Sequence, residues 1–185
     1  MSVVAARVYE DRVVVAADSI IVRGWEAKKT DGNFAKLEYA NEMIVGGCGT
    51  TEEISLMLQY MQTHRPAEPN EKEVLAFIVE FARWKKELTG NSSVENCYLL
   101  VFRGRLFQIS GMFVMEVSNY TAIGADEDFP NAALYMGHSP EEAVKAACAL
   151  SCYVAEPVIR HEMERKTASR RKGTHHVSDN CEGQE

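Results

Sequence analysis

At positions 13–19 the chain reads VVVAADS, an apolar run that closes on a carboxylate and a hydroxyl. A similar run, Val3–Tyr9, precedes it, and only Glu10 and Asp11 separate the two. Apolar β-forming runs joined by a two-residue gap predict an antiparallel hairpin. Neither run alternates between apolar and polar residues, so both strands are expected to be covered on both faces. The hairpin therefore belongs to an inner layer of the fold, and Asp18 lies where its second strand ends.

The rest of the chain adds strands and helices in groups. Further strands are predicted at 34–39, 42–46, 97–102, 105–109, 112–117, 119–123 and 154–158. Helices are predicted from Thr50 or Thr51 to Met61, from Asn70 to Gly90, from Phe129 to Met136 and from Ser139 to Leu150. Because each pair of helices follows a group of antiparallel strands, the order is typical of stacked layers. The sequence therefore predicts an α+β fold, a four-layer α/β/β/α sandwich.

One domain at residues 1–163 and a polar tail at 164–185 are expected to make up the 185 residues. Hydrophobic residues form 46% of the chain and recur from Val3 to Val158, which is enough for a single sizeable core. From Met163 onward polar and charged residues replace the apolar pattern, which predicts a disordered tail. We also expect self-association, because the Met- and Phe-rich helix faces at 54–61 and 74–81 exceed what one small sandwich needs.

Charge and hydropathy argue against several classes of protein. With a net charge of −7, the chain is not expected to bind nucleic acid along the phosphate backbone. No apolar run reaches the ~18 residues of a membrane span, and Met1–Val4 lacks the basic start of a signal peptide. Five cysteines at scattered positions fit reduced thiols better than a disulfide framework. These features predict a cytoplasmic protein with no membrane segment.

Two sets of side chains carry metal-binding residue types, and the pattern favours a structural interpretation of both. Cys148 and Cys152 are four residues apart on a predicted helix, where small buried residues on an Ala-rich face are the commoner arrangement. His175, His176 and Cys181 fall in the polar tail at irregular spacing, which is typical of a solvated segment. The sequence therefore predicts no metal and no cofactor.

Ser2 has the clearest catalytic chemistry in a chain that lacks HExxH, Walker-type, G-x-S-x-G and paired CxxC motifs. If Met1 is removed, Ser2 carries both a nucleophilic hydroxyl and an α-amine that titrates near ~8. Such a residue needs a carboxylate, a cation and backbone N–H donors nearby. Asp18, Lys36 and the glycine-rich run 46–49 could supply them at one sheet edge. The alternative interpretation is a frayed end, a turn residue, a solvated charge and a tight turn.

Several separated stretches resemble the β-subunits of proteasomes and the bacterial HslV-type peptidase. They are VVVAADS at 13–19, AKL at 35–37, IVGGCGTTE at 44–52, AIGAD at 122–126 and SPEEA at 139–143. The resemblance spans roughly Ser2 to Val158 and implies an N-terminal nucleophile (Ntn) hydrolase that cleaves peptide or other amide bonds. It implies that the nucleophile is Ser2, the supporting acid Asp18 and the supporting base Lys36, with Gly49 and Gly47 in the oxyanion hole. It also suggests a ring-like homo-oligomer with peptide substrates, and it leaves open an ATPase or unfoldase partner.

The chain departs from the family pattern within the site itself. The usual nucleophile is Thr, and Ser2 lacks the methyl group that restrains the side-chain rotamer. Lys36 comes two residues later than the family spacing, so Lys28 and Lys29 stay open as the functional cation. The family's Gly-Ser-Gly reads GAD at 124–126, and its Asp-x-x-Ser pattern is not recognisable after the last predicted helix. A catalytically inactive scaffold subunit is therefore the alternative function, and a small-amide hydrolase is a third.

Overall fold

The computed structural model describes residues 2–23, 26–29 and 36–165. Its strands are β1 Val3–Val8, β2 Arg12–Ala17, β3 Ile20–Arg23, β4 Glu26–Lys29, β5 Leu37–Ala40, β6 Met43–Cys48, β7 Cys97–Phe102, β8 Arg105–Ser110, β9 Phe113–Val117, β10 Tyr120–Gly124 and β11 Ile159–Glu164. Its helices are α1 Thr51–Met61, α2 Glu71–Thr89, α3 Asp128–Tyr135 and α4 Pro140–Leu150. The predicted strand at 34–39 is seen from Leu37 onward, since residues 34 and 35 lie outside the described ranges.

Two antiparallel sheets form the centre of the molecule. The smaller has the strand order β10-β1-β2-β11 and the larger has the order β5-β6-β7-β8-β9. The predicted hairpin of β1 and β2 is present, with Val4 opposite Ala17 and Val8 opposite Val13. β3 and β4 form a separate two-stranded pair. Because β1 lies between β10 and β2, the beginning of the chain is hydrogen-bonded on both sides.

Three apolar clusters divide the core into four layers. Val4 and Leu99 belong to the cluster between the two sheets. Phe77 of α2 belongs to a second cluster on the outer face of the larger sheet. Val3 and Leu134 belong to a third, between the smaller sheet and helices α3 and α4. The four-layer α/β/β/α prediction is thereby confirmed. Adjacent residues of β1 join different clusters, which explains why the strand shows no polar alternation.

Local capping fixes where two helices begin. The Asn70 side chain accepts a hydrogen bond from the Glu73 N–H at 3.0 Å, and α2 ends at Gly90 with φ of 78°. At α4, Ser139 accepts a hydrogen bond from the Glu142 N–H, and the Glu142 carboxylate accepts one in return from the Ser139 N–H. Both helix starts therefore lie where the sequence predicts them.

The last strand differs from the prediction at 154–158, which is wrong. Residues 151–158 form no strand or helix, and β11 follows at the edge of the smaller sheet, paired with β2. Pro157 has no N–H to donate, whereas residues 159–164 alternate between half-buried and exposed, as suits an edge strand. Glu164, the first residue of the predicted tail, is the last residue of β11. The tail residues 166–185 lie outside the described part of the chain.

The Met- and Phe-rich helix faces are buried within a single copy of the chain. Met57, Phe77 and Phe81 pack in the cluster under the larger sheet, and each is at most 2% exposed. The prediction that these faces drive self-association is therefore wrong, since the sheet covers them. Large exposed apolar side chains lie elsewhere, among them Phe113 on β9, Tyr135 on α3 and Leu150 on α4. Within the described ranges, each helix is too short or too polar to cross a bilayer.

Candidate active site

A buried ion pair joins Asp18, directly after β2, to Lys36, directly before β5. Lys36 Nζ lies 2.8 Å from Oδ2 and 3.0 Å from Oδ1 of Asp18. Neither side chain is more than 1% exposed. Asp18 Oδ1 also accepts a hydrogen bond from the Val3 N–H at 2.9 Å. The ion pair is therefore attached to the first residue of β1, which directly follows Ser2.

Burial sets the electrostatics of this pair. Burial raises the pKa of the Asp18 carboxyl, although the charge and hydrogen bonds of Lys36 and the N–H groups of Val3 and Ile20 favour the carboxylate. Desolvation of two charges largely offsets their attraction, so a buried pair contributes little net stability. Loss of one partner is costly, because it leaves an uncompensated charge in the core. Lys36 is thus no solvated surface charge, and Asp18 does more than end a strand.

Ser2 is fixed between two strands. It is 4% exposed, and its carbonyl oxygen accepts a hydrogen bond from the Ala125 N–H at 2.8 Å. On the other side, Val3 exchanges hydrogen bonds with Asp18, through the Asp18 side chain and backbone N–H. The adjoining register pairs Val3 with Gly124 of β10. Ser2 therefore occupies a defined position in the fold rather than a frayed end.

The glycine-rich run supplies one candidate oxyanion donor. Gly46 and Gly47 belong to β6, and the Gly47 N–H donates to the Lys36 carbonyl oxygen at 2.9 Å. Gly47 is therefore committed to the sheet, which leaves Gly49 as the candidate of the two predicted glycines. Gly49 has φ of +138°, a conformation that suits glycine, and it lies just before the first turn of α1.

One opening connects these groups. A cavity of about 500 Å³ is lined by Ser2, Cys48, Gly49, Glu95, Cys97, Gly124 and Ala125. We call it the Ser2 opening. The proposed nucleophile and the proposed oxyanion glycine thus face the same space. Asp18 and Lys36 do not line it; both are buried, and Asp18 binds the N–H of Val3, the residue after Ser2.

The Ser2 opening also contains two thiols, which are opposite each other on β6 and β7. Burial raises the pKa of the Cys48 thiol, and its Sγ donates a weak hydrogen bond to the Ile123 carbonyl oxygen at 3.4 Å. A protonated thiol is a poor nucleophile. Cys48 is therefore suited to shape the opening rather than to compete with Ser2 for substrate.

Sequence reasoning missed three buried polar residues that connect α1, α2 and the segment before β7: Asn96, Glu53 and Lys85. Asn96 precedes β7 and binds both backbone groups of Thr50, and Glu53 of α1 forms an ion pair with Lys85 of α2. A signal existed for the pair. Glu53 is four residues from Met57 on the apolar face of α1, and Lys85 lies on the apolar face of α2. Opposite charges on the inward faces of consecutive helices predict a buried ion pair.

One departure from the expected pattern lies directly beside Ser2. Ala125, where the resemblance leads us to expect a hydroxyl residue, donates its N–H to the Ser2 carbonyl oxygen. The next residue, Asp126, accepts a short hydrogen bond from Ser151 Oγ, just after α4. A carboxylate and a hydroxyl are therefore present on these two segments. The alternative cations Lys28 and Lys29 lie in β4, where the structure describes the backbone alone.

Of the two sets of side chains with metal-binding residue types, one lies within the described residues and the other does not. Cys148 is half-buried on α4, and Cys152 is exposed in the following segment. His175, His176 and Cys181 lie outside the described residues. Within residues 2–23, 26–29 and 36–165, no group of three or more His, Cys, Asp and Glu side chains is arranged to hold a metal ion.

Comparison with known proteins identifies the fold through structure rather than sequence. No family model matches the chain, and no curated protein matches it. Among solved structures, BPH from Thiobacillus denitrificans is similar with a TM-score of 0.79 and 18% identity, over 88% of this chain and 97% of that chain. A second BPH structure, in complex with epoxomicin, has a TM-score of 0.78.

Two further solved structures share the architecture. HslV from Trypanosoma brucei has a TM-score of 0.66 and 20% identity, over 88% of this chain and 99% of that chain. Anbu from Yersinia bercovieri, described as an ancestral beta-subunit, has a TM-score of 0.66 and 16% identity, over 89% and 81% of the two chains. The likeness to an HslV-type fold predicted from the sequence is confirmed. At these identities the likeness establishes the fold alone.

Proposed function

We propose that this chain is an Ntn hydrolase that cleaves peptide or other amide bonds through Ser2 after removal of Met1. One observation carries the proposal. The buried Asp18–Lys36 pair binds the Val3 N–H, one residue from a Ser2 that shares its opening with Gly49. A nucleophile, a buried cation, a carboxylate and a backbone donor thus occur together at the start of β1.

The proposed mechanism begins with the free amine of Ser2. The amine takes the proton of Ser2 Oγ as Oγ attacks the carbonyl carbon of the substrate. The Gly49 N–H stabilises the tetrahedral oxyanion. When the intermediate collapses, the amide C–N bond breaks, the ammonium returns the proton to the leaving amine, and an ester to Ser2 remains. Water, deprotonated by the same amine, hydrolyses the ester and releases the acid.

The buried ion pair has two roles in this scheme. The positive charge of Lys36 disfavours a second positive charge nearby, so it keeps the Ser2 amine in its neutral, basic form. It also stabilises the alkoxide character of Oγ during attack. Asp18 holds the Lys36 ammonium in place through both of its oxygens and fixes β1 through Val3.

The alternative is an inactive subunit with the same fold. Ser2 in place of the usual Thr and Ala125 in place of a hydroxyl residue favour this alternative. Retention of Met1 would have the same result, because it would acylate the amine that serves as base. A hydrolase of small amides is a third candidate, since the same chemistry applies to any amide that enters the Ser2 opening.

We also propose a homo-oligomer of ring type that acts on peptides, with an ATPase or unfoldase partner left open. The exposed apolar residues on α3 and α4, such as Tyr135 at 79% and Leu150 at 66%, support self-association. The proposed contacts should bury more than ~1,000 Å² each. A monomer by light scattering at micromolar concentration would contradict the assembly but would leave the chemistry of Ser2 untouched.

The deciding experiment combines intact mass with turnover of a fluorogenic peptide amide. We expect a purified chain lighter by one methionine, with activity that Ser2→Ala reduces to background and Ser2→Thr retains. Ser55→Ala is the matched control, because Ser55 is an exposed serine on α1. Equal turnover by wild type and Ser2→Ala would show the N-terminal mechanism to be wrong.

A second readout does not require a suitable substrate. If the opening resembles that of BPH, epoxomicin should raise the Tm of the processed chain, since a ligand that binds only the folded state stabilises it. The same addition should leave the Tm of Ser2→Ala nearly unchanged. A shift of equal size in both proteins would place binding away from Ser2.

A further inference from the structure

We infer that Asn96 is a positioning residue that sets the direction of the Gly49 N–H, and that the buried Glu53–Lys85 pair holds Asn96 in place. This inference rests on the proposed function, because it concerns the oxyanion donor of the same site. The residues involved come from α1, α2 and the segment before β7, none of which carries the nucleophile.

Asn96 binds the residue after Gly49 through both ends of its carboxamide. Its Oδ1 accepts a hydrogen bond from the Thr50 N–H at 2.8 Å, and its Nδ2 donates to the Thr50 carbonyl oxygen at 2.9 Å. The side chain is 1% exposed, so water does not compete for these bonds. Thr50 is the N-cap of α1 and makes no side-chain cap bond of its own. The carboxamide of Asn96 therefore fixes the backbone where the helix begins.

The same carboxamide lies against Gly49. A Cβ atom built on Gly49 would overlap Oδ1 of Asn96 and lie 3.1 Å from its Cβ. On the preceding side, Cys48 ends β6 and is paired with β7. Gly49 thus stands between a strand and a clamped Thr50, and its φ of +138° is set from both directions. The direction of the Gly49 N–H follows from this arrangement.

Asn96 is itself held by the carboxylate of Glu53. Glu53 Oε1 accepts hydrogen bonds from the Asn96 N–H at 3.0 Å and from the Tyr98 hydroxyl at 3.1 Å. Lys85 Nζ lies 2.5 Å from Glu53 Oε2 and also donates to the Ser93 carbonyl oxygen. A buried network with its members partnered specifies one geometry, which is what an oxyanion donor needs.

The charge state supports this role. Burial alone would raise the pKa of Glu53, but the hydrogen bonds of Lys85, Asn96 and Glu95 outweigh it and lower the pKa. Glu53 is therefore a carboxylate at neutral pH and accepts from every donor around it. Apolar residues of similar volume would stabilise a core as well as a buried ion pair does. We therefore attribute the Glu53–Lys85 pair to control of the backbone geometry at Gly49 and Thr50, which it exerts through Asn96.

The test compares Asn96→Ala with Asn91→Ala, an exposed asparagine of the same α2–β7 segment. Loss of an aligned oxyanion donor costs about 10²–10³ in kcat. We expect Asn96→Ala to lower kcat by about 10² with little change in KM, and Asn91→Ala to leave both unchanged. A fall in kcat/KM through KM alone, or an unchanged kcat, would overturn the inference.

Asn96→Asp provides a rescue that a merely structural role would not show. A protonated aspartic acid can accept from Thr50 N–H and donate to its carbonyl oxygen, as asparagine does. The Glu53 carboxylate nearby favours this neutral form. The ratio of kcat for Asn96→Asp to that of wild type should therefore rise as the pH falls. A ratio independent of pH would contradict the assignment.

Hydrogen exchange separates this inference from the proposed function. Asn96→Ala should speed exchange of the Thr50 amide, whether or not any substrate is turned over, and Asn91→Ala should not. An unchanged Thr50 amide would overturn the clamp itself. Faster exchange in Asn96→Ala, together with a wild type that shows no Ser2-dependent turnover, would mean that Asn96 does hold Thr50 but that the proposed hydrolase function is wrong. The role of Asn96 in catalysis would then be wrong as well.

Discussion

The backbone of Gly124 lies against the carbonyl group of Ser2, so closely that a Cβ atom at position 124 would overlap the Ser2 carbonyl oxygen and lie 2.7 Å from Cys48 Sγ. Gly124 has φ of +110°, and the following Ala125 N–H donates to that same oxygen. Strand β10 therefore determines where the proposed nucleophile sits. The contact also explains why position 124 requires glycine.

Gly124→Ala should displace Ser2 and abolish turnover of a peptide amide. The matched control is Gly137→Ala, because Gly137 has φ of +96° and an added methyl group there would have no heavy atom within 4 Å among the described residues. Each substitution costs about 1–2 kcal/mol for a side chain at positive φ. Only Gly124→Ala adds a collision with Ser2, so only this variant should lose activity, and its Tm should fall further than that of Gly137→Ala. Equal activity in the two variants would contradict the contact.

Two of the proposed site residues could be predicted because they end recognisable patterns. Asp18 follows a continuous apolar run, and Gly49 precedes the sequence TTEE at 50–53, which is typical of a helix start. Lys36 is harder to predict, since an isolated lysine near a polar loop is usually solvated. Its burial depends on Asp18, which lies 18 positions earlier and meets it only in the folded chain.

Asn96 shows why the rest could not be predicted. Its partner Thr50 is 46 positions away, and an asparagine in a polar segment carries no pattern of its own. The edge strand β11 escapes prediction for a related reason. Its polar alternation resembles a solvated segment, and only pairing with β2 makes it a strand. Apolar periodicity therefore predicts layers well and predicts polar contacts between distant segments poorly.

Lys36→Met should destabilise the chain by about 3–5 kcal/mol, because it leaves the Asp18 carboxylate buried without its cation. The double variant Asp18→Asn with Lys36→Met should recover much of that stability, since it removes both charges. Both proteins should nevertheless be inactive if Lys36 supplies charge to the reaction. Urea unfolding and turnover measured on the same samples separate the two effects. An active double variant would show that the pair is structural.

Alkylation of Cys97 should block the Ser2 opening. Cys97 is half-buried and lines the opening, whereas Cys48 beside it is buried and its thiol pKa is raised by burial. Treatment with N-ethylmaleimide should therefore inactivate wild type. Cys97→Ser should resist inactivation, and Cys152→Ser, which removes an exposed thiol elsewhere, should stay sensitive. Mass spectrometry of the labelled peptide identifies the site. Inactivation of Cys97→Ser at the wild-type rate would place the critical thiol elsewhere.

Stability should depend on pH through Glu53. Burial opposes the carboxylate, but the bonds of Lys85, Asn96 and Glu95 lower its folded-state pKa below the ordinary value of 4.5. Because the folded-state pKa of Glu53 is the lower of the two, the unfolded chain binds a proton at Glu53 more readily than the folded chain does as the pH falls below 4.5. The contribution of Glu53 is therefore present above pH 4.5 and is lost as the pH falls from 4.5 through the folded pKa.

Glu53→Gln should lower the free energy of unfolding at neutral pH and should flatten its decline below pH 4.5. Glu52→Gln is the matched control, because Glu52 precedes it in the first turn of α1 and is exposed. Urea unfolding of the three proteins across this pH range measures both effects. Suppose that the free energy of unfolding of Glu53→Gln declined with falling pH as steeply as that of wild type, while the decline was lost in Glu52→Gln. The charge that stabilises the start of α1 would then be that of the exposed Glu52. The buried network could then not be what holds Asn96 against Gly49.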